Sequence, residues 1–223
     1  MDKGSATTTV REAAVDAGTA VLEGTLTLPA NARGVVLFAH GSGSSRHSPR
    51  NRYVAEELNN AGLATLLIDL LTQDEESVDV YTAEFRFDIP LLAGRLAGAT
   101  DWLASQLETG ELDVGYFGAS TGAGAALVAA SLKPERVGAI VSRGGRPDLA
   151  GQDALSKVQA PTLLIVGGND APVIQMNAEA QGYLHVKNEL KIVPGATHLF
   201  EEPGALEEVA RLAADWFKHY LGR

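Results

Sequence analysis

The sequence predicts an α/β fold, in which a mostly parallel central sheet carries helices on both of its faces. Three observations support this fold class. Strand-like apolar runs alternate along the chain with segments whose apolar residues recur at helical spacing. Several of these runs are apolar without interruption, as expected for strands that a parallel sheet buries on both sides. Two alternating runs near the N-terminus predict an added antiparallel edge.

Turn and capping signals bound the predicted elements. Residues 29–31 form a turn before the first buried strand. Gly62 ends the first helix in a conformation that glycine adopts readily. Pro90 fits the first turn of the second helix, where a missing N–H costs nothing. The predicted strands are 7–11, 21–28, 34–39, 63–68, 114–117, 137–141, 162–166 and 190–193. The predicted helices are 49–61, 89–107, the Ala-rich 121–132, 172–184 and the amphipathic 205–220.

The chain contains no repeat, low-complexity segment or linker, so residues 1–223 are predicted to form a single domain. The segment between strands 137–141 and 162–166 is too short to hold a cap domain. Any ligand pocket should therefore be shallow and open.

Composition excludes several classes of function. The net charge of −10 argues against nucleic acid or an anionic membrane as a partner. The absence of cysteine excludes disulfides, thiolate metal sites and a cysteine nucleophile. No histidine or carboxylate grouping has metal-ligand spacing, so no metal and no cofactor are predicted. The sequence shows neither a secretory signal nor an apolar stretch of membrane-spanning length, which predicts a cytoplasmic protein.

The strongest chemical signal is Gly118-Ala119-Ser120-Thr121-Gly122, which fits the pattern G-x-S-x-G. The bare pattern is common, but here it joins a predicted strand to a predicted helix, which is the setting that a nucleophile elbow requires. Such a turn would lift the Ser120 hydroxyl above the sheet and aim the Thr121 N–H at a substrate oxygen. The alternative is a plain Gly-rich turn in which Ser120 caps the helix.

Two further residues complete a predicted triad. A serine hydroxyl needs a base to take its proton, and His198 follows strand 190–193 in a loop before the last helix. Asp170 follows strand 162–166 and would hold the tautomer of the histidine. The alternatives are a surface-loop role for His198, helix capping by Asp170, and Asp148 as the acid.

The loop of residues 40–45 follows the buried strand 34–39 and is predicted to supply a backbone N–H for a developing oxyanion. Ser42 is the predicted donor, with Gly43 as the alternative, and it would act together with the Thr121 N–H. We interpret His40 as a structural residue that ties down its own loop.

Two arginines, Arg143 and Arg146, follow strand 137–141 and should lie at the same rim of the sheet. They are predicted to bind a carboxylate or phosphate group of a substrate. The alternative is that they pair with Asp148 or with neighbouring acids.

Together the motifs resemble the α/β-hydrolase superfamily, and the short layout from about Val21 onward is similar to its dienelactone hydrolase-like branch. The resemblance implies an α/β-hydrolase fold and the triad Ser120, Asp170 and His198, which the residues themselves also indicate. Dienelactone hydrolases proper use a cysteine nucleophile, so the serine of this chain favours ordinary esterase chemistry. The motifs that carry the resemblance are residues 40–43, 118–122, 167–170 and 195–198.

We therefore predict a carboxylesterase-like serine hydrolase that cleaves small, soluble esters through an acyl-enzyme and without a cofactor. The alternatives are a thioesterase, lactonase or peptidase on the same triad, or a non-catalytic binding module with the same fold. The expected partner is a small-molecule ester, and the expected assembly is a monomer or a small homo-oligomer.

Overall fold

A computed structural model describes residues 7–222, which contain one eight-stranded sheet. Its strands are β1 (Thr9–Asp16), β2 (Val21–Leu28), β3 (Gly34–Ala39), β4 (Ala64–Ile68), β5 (Asp113–Ala119), β6 (Val137–Arg143), β7 (Thr162–Gly167) and β8 (Asn188–Val193). Their order in the sheet is β1-β2-β4-β3-β5-β6-β7-β8. The pairs β1–β2 and β2–β4 are antiparallel, whereas every pair from β4–β3 to β7–β8 is parallel. The predicted α/β class with an antiparallel edge is confirmed.

Helices cover both faces of the sheet. They are α1 (Pro49–Asn60), α2 (Gln73–Thr82), α3 (Ile89–Ser105), α4 (Thr121–Leu132), α5 (Gly151–Leu155), α6 (Ala171–Gln181) and α7 (Ala205–Tyr220). Side chains of α1 and α7 share one apolar core with residues of β3, β5, β6 and β7. Side chains of α3 and α4 share the core on the opposite face. The sheet is therefore buried on both sides, which explains its continuous apolar strands.

The segment after β4 differs from the sequence prediction. No helix is predicted between strand 63–68 and helix 89–107, whereas the structure has α2 (Gln73–Thr82) there. A capping box stabilises the beginning of α2, because the Glu75 N–H donates to Thr72 Oγ1 at 3.3 Å and the Thr72 N–H donates to Glu75 Oε2 at 2.8 Å. The spacing of Thr72 and Glu75, T-x-x-E, is the sequence pattern that could have predicted the start of this helix. The helix shows little apolar periodicity because its side chains, apart from Asp79, are not buried.

Between β6 and β7 the described chain forms only a 3₁₀ turn (Pro147–Ala150) and the short α5. No cap covers this part of the rim. Of the polar N-terminal segment, residues 1–6 lie outside the described residues. Within residues 7–222 no helix has both the length and the apolar character needed to cross a bilayer.

Two glycines of α3 should respond oppositely to replacement by alanine. A Cβ at Gly98 would overlap the Ala17 backbone after β1, whereas a Cβ at Gly94 would meet nothing within 4 Å. We expect Gly98→Ala to destabilise the fold by about 1–3 kcal/mol, because the helix must move away from the β1–β2 hairpin. Gly94→Ala should stabilise it by about 0.5–1 kcal/mol through helix propensity.

Urea denaturation of the two variants and the wild type measures both effects. Equal free energies of unfolding for the two variants would contradict the described packing of α3 against the hairpin.

Candidate active site

The carboxyl ends of β3, β5, β6, β7 and β8 open onto one edge of the sheet, where all the predicted site residues lie. Ser120 stands between β5 and α4 with φ 50° and ψ −122°, a conformation that L-residues disfavour by about 1–3 kcal/mol. Backbone hydrogen bonds hold this turn. The Ser120 N–H donates to the Arg143 carbonyl at 3.2 Å, and the Ser120 carbonyl accepts the N–H groups of Ala123 and Arg146, both at 3.1 Å.

The glycines of the elbow are explained by close packing. A Cβ at Gly118 would lie 2.5 Å from the Cα of Ala123 in the following helix. A Cβ at Gly122 would overlap the carbonyl oxygens of Ala39 and His40 at the end of β3. Strand, turn and helix can therefore approach each other only with glycine at these positions.

The structure brings the three predicted triad residues together. Nε2 of His198 lies 3.3 Å from Oγ of Ser120, and Nδ1 of His198 lies 2.7 Å from Oδ2 of Asp170. The second contact is short, as expected for a carboxylate that accepts an imidazole N–H. The first is longer, and such contacts commonly tighten when substrate binds. The arrangement can move a proton from the serine to the histidine while the carboxylate steadies the imidazole.

Two residues to which sequence reasoning gave no role hold the loop that carries His198, one from the loop of Asp170 and one from within the same loop. Asn169 donates from Nδ2 to the Gly195 carbonyl at 2.8 Å, and its N–H donates to the Ala196 carbonyl at 2.9 Å. Glu202 accepts the Thr197 hydroxyl at 2.6 Å and the Thr197 N–H at 3.1 Å. These bonds hold the pKa of the Glu202 carboxyl below its usual range. The hydrogen bonds of Asn169 and Glu202 fix the loop that carries His198, and no local sequence pattern predicts these bonds.

The triad is open to solvent. The His198 side chain is 38% exposed, the Asp170 side chain is 15% exposed and Ser120 is half-buried.

A cavity of about 610 Å³ lies beside the oxyanion loop, where the ends of β3 and β4 face helix α2. His40, Ser44, Arg46 and Leu71 are among its lining residues, and neither Ser120 nor His198 is.

Ser42, the predicted oxyanion donor, contacts Thr121 in this structure. Its backbone N–H donates to the Thr121 hydroxyl oxygen at 2.8 Å, so it is already occupied in this structure. The N–H of the alternative, Gly43, has no acceptor among the described residues. The N–H of Thr121 lies in the first turn of α4, where no carbonyl of the helix can accept it. The hydroxyl of Thr121 thus competes with a substrate oxygen for the Ser42 N–H.

His40 has the structural role expected of it. Its Nε2 accepts the Leu70 N–H at 3.0 Å, so its proton is on Nδ1, which donates to the Gly41 carbonyl at 2.9 Å. Burial lowers the pKa of the His40 imidazole, which favours the neutral form. The ring therefore connects the oxyanion loop to the end of β4.

The two predicted substrate-binding arginines have different surroundings. Arg146 donates to both oxygens of Asp148, from Nε at 2.8 Å and from Nη2 at 2.7 Å. This pair holds the pKa of the Asp148 carboxyl below its usual range. Arg146 thus forms the pair with Asp148 that was the alternative to its predicted substrate role, and Nδ1 of His198 contacts Asp170 rather than Asp148. Arg143, in contrast, is buried at the end of β6 and has no acidic partner among the described residues.

Comparison with known proteins identifies close relatives. A model of the dienelactone hydrolase family matches residues 22–221. The crystal structure of a dienelactone hydrolase from Anabaena variabilis ATCC 29413 is 63% identical, with a TM-score of 0.94, and the match covers 96% of this chain and 99% of that one. Est1E from Butyrivibrio proteoclasticus has a TM-score of 0.77 at 17% identity, over 94% of this chain and 98% of that one, which shows the shared fold alone.

Two proteins of Mycobacterium tuberculosis, from strains CDC 1551 / Oshkosh and H37Rv, also match over 210 residues at 61% identity. Both carry the name "Putative phosphoribosyl transferase". The match covers 94% of this chain and 46% of theirs, so the chain spans about half the length of these curated relatives. Their name describes the longer proteins.

Proposed function

This chain belongs to the dienelactone hydrolase family, and from that premise we propose that it is a serine hydrolase that cleaves small, soluble carboxylic esters through an acyl-enzyme. Membership in the family makes the chain a hydrolase of the α/β-hydrolase fold. The ester class, the acyl-enzyme and the roles of individual residues are our proposal. One observation carries it: the continuous hydrogen-bond chain from Ser120 through His198 to Asp170.

In the first half of the reaction, Oγ of Ser120 attacks the ester carbonyl carbon while its proton passes to Nε2 of His198. Asp170 accepts the Nδ1–H and stabilises the imidazolium that forms. The tetrahedral intermediate collapses as the C–O bond to the alcohol breaks, and the imidazolium returns its proton to the leaving oxygen. The product of this half is an alcohol and an acyl group bound to Ser120.

In the second half, water attacks the acyl carbonyl and gives its proton to Nε2 of His198. Collapse of this intermediate breaks the bond to Oγ, which recovers its proton from the imidazolium. The Thr121 N–H is the main proposed donor to the oxyanion in both halves. The Ser42 N–H can join it only after the Thr121 hydroxyl releases it.

The nucleophile of this chain is a serine, not the cysteine of dienelactone hydrolases proper, which favours ordinary esterase chemistry. A thiolate can attack without a neighbouring base, whereas a serine hydroxyl depends on one, and here His198 supplies it. The open rim without a cap leaves a long acyl chain without a covered apolar channel. Acetate and butyrate esters should therefore turn over faster than long-chain esters.

Two measurements test this function. A fluorophosphonate probe should label the wild type and leave Ser120→Ala unlabelled, and nitrophenyl esters of increasing acyl length should give falling kcat/KM. A folded wild type that no probe labels would support a binding module instead. Faster turnover of thioesters, lactones or peptides than of matched esters would redirect the assignment to those substrates on the same triad.

A further inference from the structure

A second and much smaller cavity borders the elbow and the oxyanion loop. Its volume is about 10 Å³, which is room for one group the size of a water molecule. Thr121 lines this small cavity on the side of the elbow, and Ser42 and Gly43 line it on the side of the oxyanion loop. The small cavity therefore begins at the residues that carry the proposed oxyanion donors.

The remaining walls of the small cavity combine apolar and charged side chains. Leu71, which follows β4, and Leu92 of α3 are buried and line it. Glu76 and Arg86 line it as well, and Nε of Arg86 donates to the buried Asp79 carboxylate at 2.5 Å. A methyl group fits this space, whereas a longer apolar chain would have to displace a leucine or take water from a charged group.

The proposed mechanism decides which half of an ester can lie in the small cavity. The attacked carbon carries four groups: Oγ of Ser120, the oxyanion, the leaving oxygen and the acyl substituent. The oxyanion lies at the Thr121 N–H, and the leaving oxygen lies near Nε2 of His198, which returns a proton to it. Because Thr121 lines the small cavity and His198 does not, the acyl substituent is the group directed into it.

We propose that the small cavity is the acyl pocket and that it restricts the acyl group to acetyl, with Leu92 as the residue that sets this limit. The inference rests on the proposed ester hydrolysis and narrows its substrates from small esters to acetate esters. One methylene in an apolar pocket changes specificity by about 10- to 200-fold. Leu71 is less selective as a target, because it also lines the large cavity of about 610 Å³, whereas Leu92 does not.

Two pairs of esters test the proposal. Nitrophenyl acetate and nitrophenyl butyrate differ only in the acyl group, whereas methyl acetate and butyl acetate differ only in the alcohol. The enzyme variants are the wild type, Leu92→Ala, and Leu103→Ala as the matched control. Leu103 is a buried leucine of the same helix α3, and it does not line the small cavity.

We expect the wild-type kcat/KM for nitrophenyl acetate to exceed that for nitrophenyl butyrate by at least about tenfold. Leu92→Ala should lower this acyl ratio by about tenfold or more, because the removed side-chain atoms leave space for the two added methylenes. Leu103→Ala should keep the wild-type acyl ratio, and the ratio for the two alcohols should be the same in all three proteins.

Three results would overturn the acyl pocket: a wild-type acyl ratio near one, an acyl ratio that Leu92→Ala leaves unchanged, or an equal change in Leu103→Ala. A change confined to the alcohol pair would assign the small cavity to the leaving group and refute the proposal as well. If Leu92→Ala does not fold, Leu92→Val removes one methylene and should lower the acyl ratio in the same direction.

Boronic acids separate this proposal from the esterase proposal, because they form tetrahedral adducts with an activated serine without turnover. We expect methylboronic acid to raise the Tm of the wild type more than butylboronic acid does, and Leu92→Ala to remove or reverse this order. Equal hydrolysis of acetate and butyrate would leave the esterase standing and refute the acyl pocket alone. If no ester is hydrolysed, ester hydrolysis falls and the boronate order decides the pocket; binding of neither boronate would refute both.

Discussion

Replacing Ser120 with alanine is expected to lower kcat for the best ester by roughly a million-fold, to near the rate without enzyme. The reason is geometric: the removed atom is the one that lies 3.3 Å from Nε2 of His198, and no other hydroxyl among the described residues contacts that nitrogen. The backbone bonds that hold the elbow involve only main-chain atoms, so the fold should remain. Steady-state kinetics together with circular dichroism of the variant measures both effects.

Ser142→Ala is the matched control for this variant. Ser142 is buried one strand away, and its hydroxyl has no hydrogen-bond partner among the described residues. Removing an unpaired buried hydroxyl should leave stability equal or slightly improved and activity unchanged. Turnover that survived in Ser120→Ala, or that vanished equally in Ser142→Ala, would mean that Ser120 is not the nucleophile.

Replacing Asp170 with asparagine should lower kcat by about ten-thousand-fold, the second-largest effect expected here. An amide at this position can donate to Nδ1 of His198, which moves the imidazole proton to Nε2 and leaves no acceptor for the Ser120 proton. It also removes the charge that stabilises the imidazolium. The Asp170 N–H bonds the Gly167 carbonyl at 3.0 Å through the backbone, so the loop should keep its shape.

Asp148→Asn provides the comparison, because Asp148 was the alternative acid from the sequence. Its carboxylate pairs with Arg146, and both side chains are 35% exposed. An exposed pair of this kind contributes about 0–1 kcal/mol to stability, and its loss should change kcat by no more than about twofold. Kinetics of the two variants on one ester therefore decide between the acids. A larger loss in Asp148→Asn than in Asp170→Asn would reverse the assignment.

Much of the fold could be predicted because its signals are local. Continuous apolar runs, Pro90 and the Gly62 cap lie within single elements, and the helix predicted over 121–132 coincides with α4. Helix α2 was not predicted, because little of its surface is buried and its sequence therefore shows no clear apolar periodicity. Its T-x-x-E capping box was the weaker signal that remained.

The sequence by itself determined the class of sheet, the elbow at Ser120 and the order of serine, aspartate and histidine along strand ends. These follow from short-range spacing, and parallel strands bring their carboxyl ends to one edge whatever the details of packing. Only the tertiary structure decided which groups at that edge are free. The Thr121 hydroxyl accepts the Ser42 N–H from 79 residues away, and Asp148 pairs with Arg146, while Arg143 contacts no acidic side chain among the described residues. The reason is that each polar group competes for partners that only the folded chain brings within hydrogen-bonding distance.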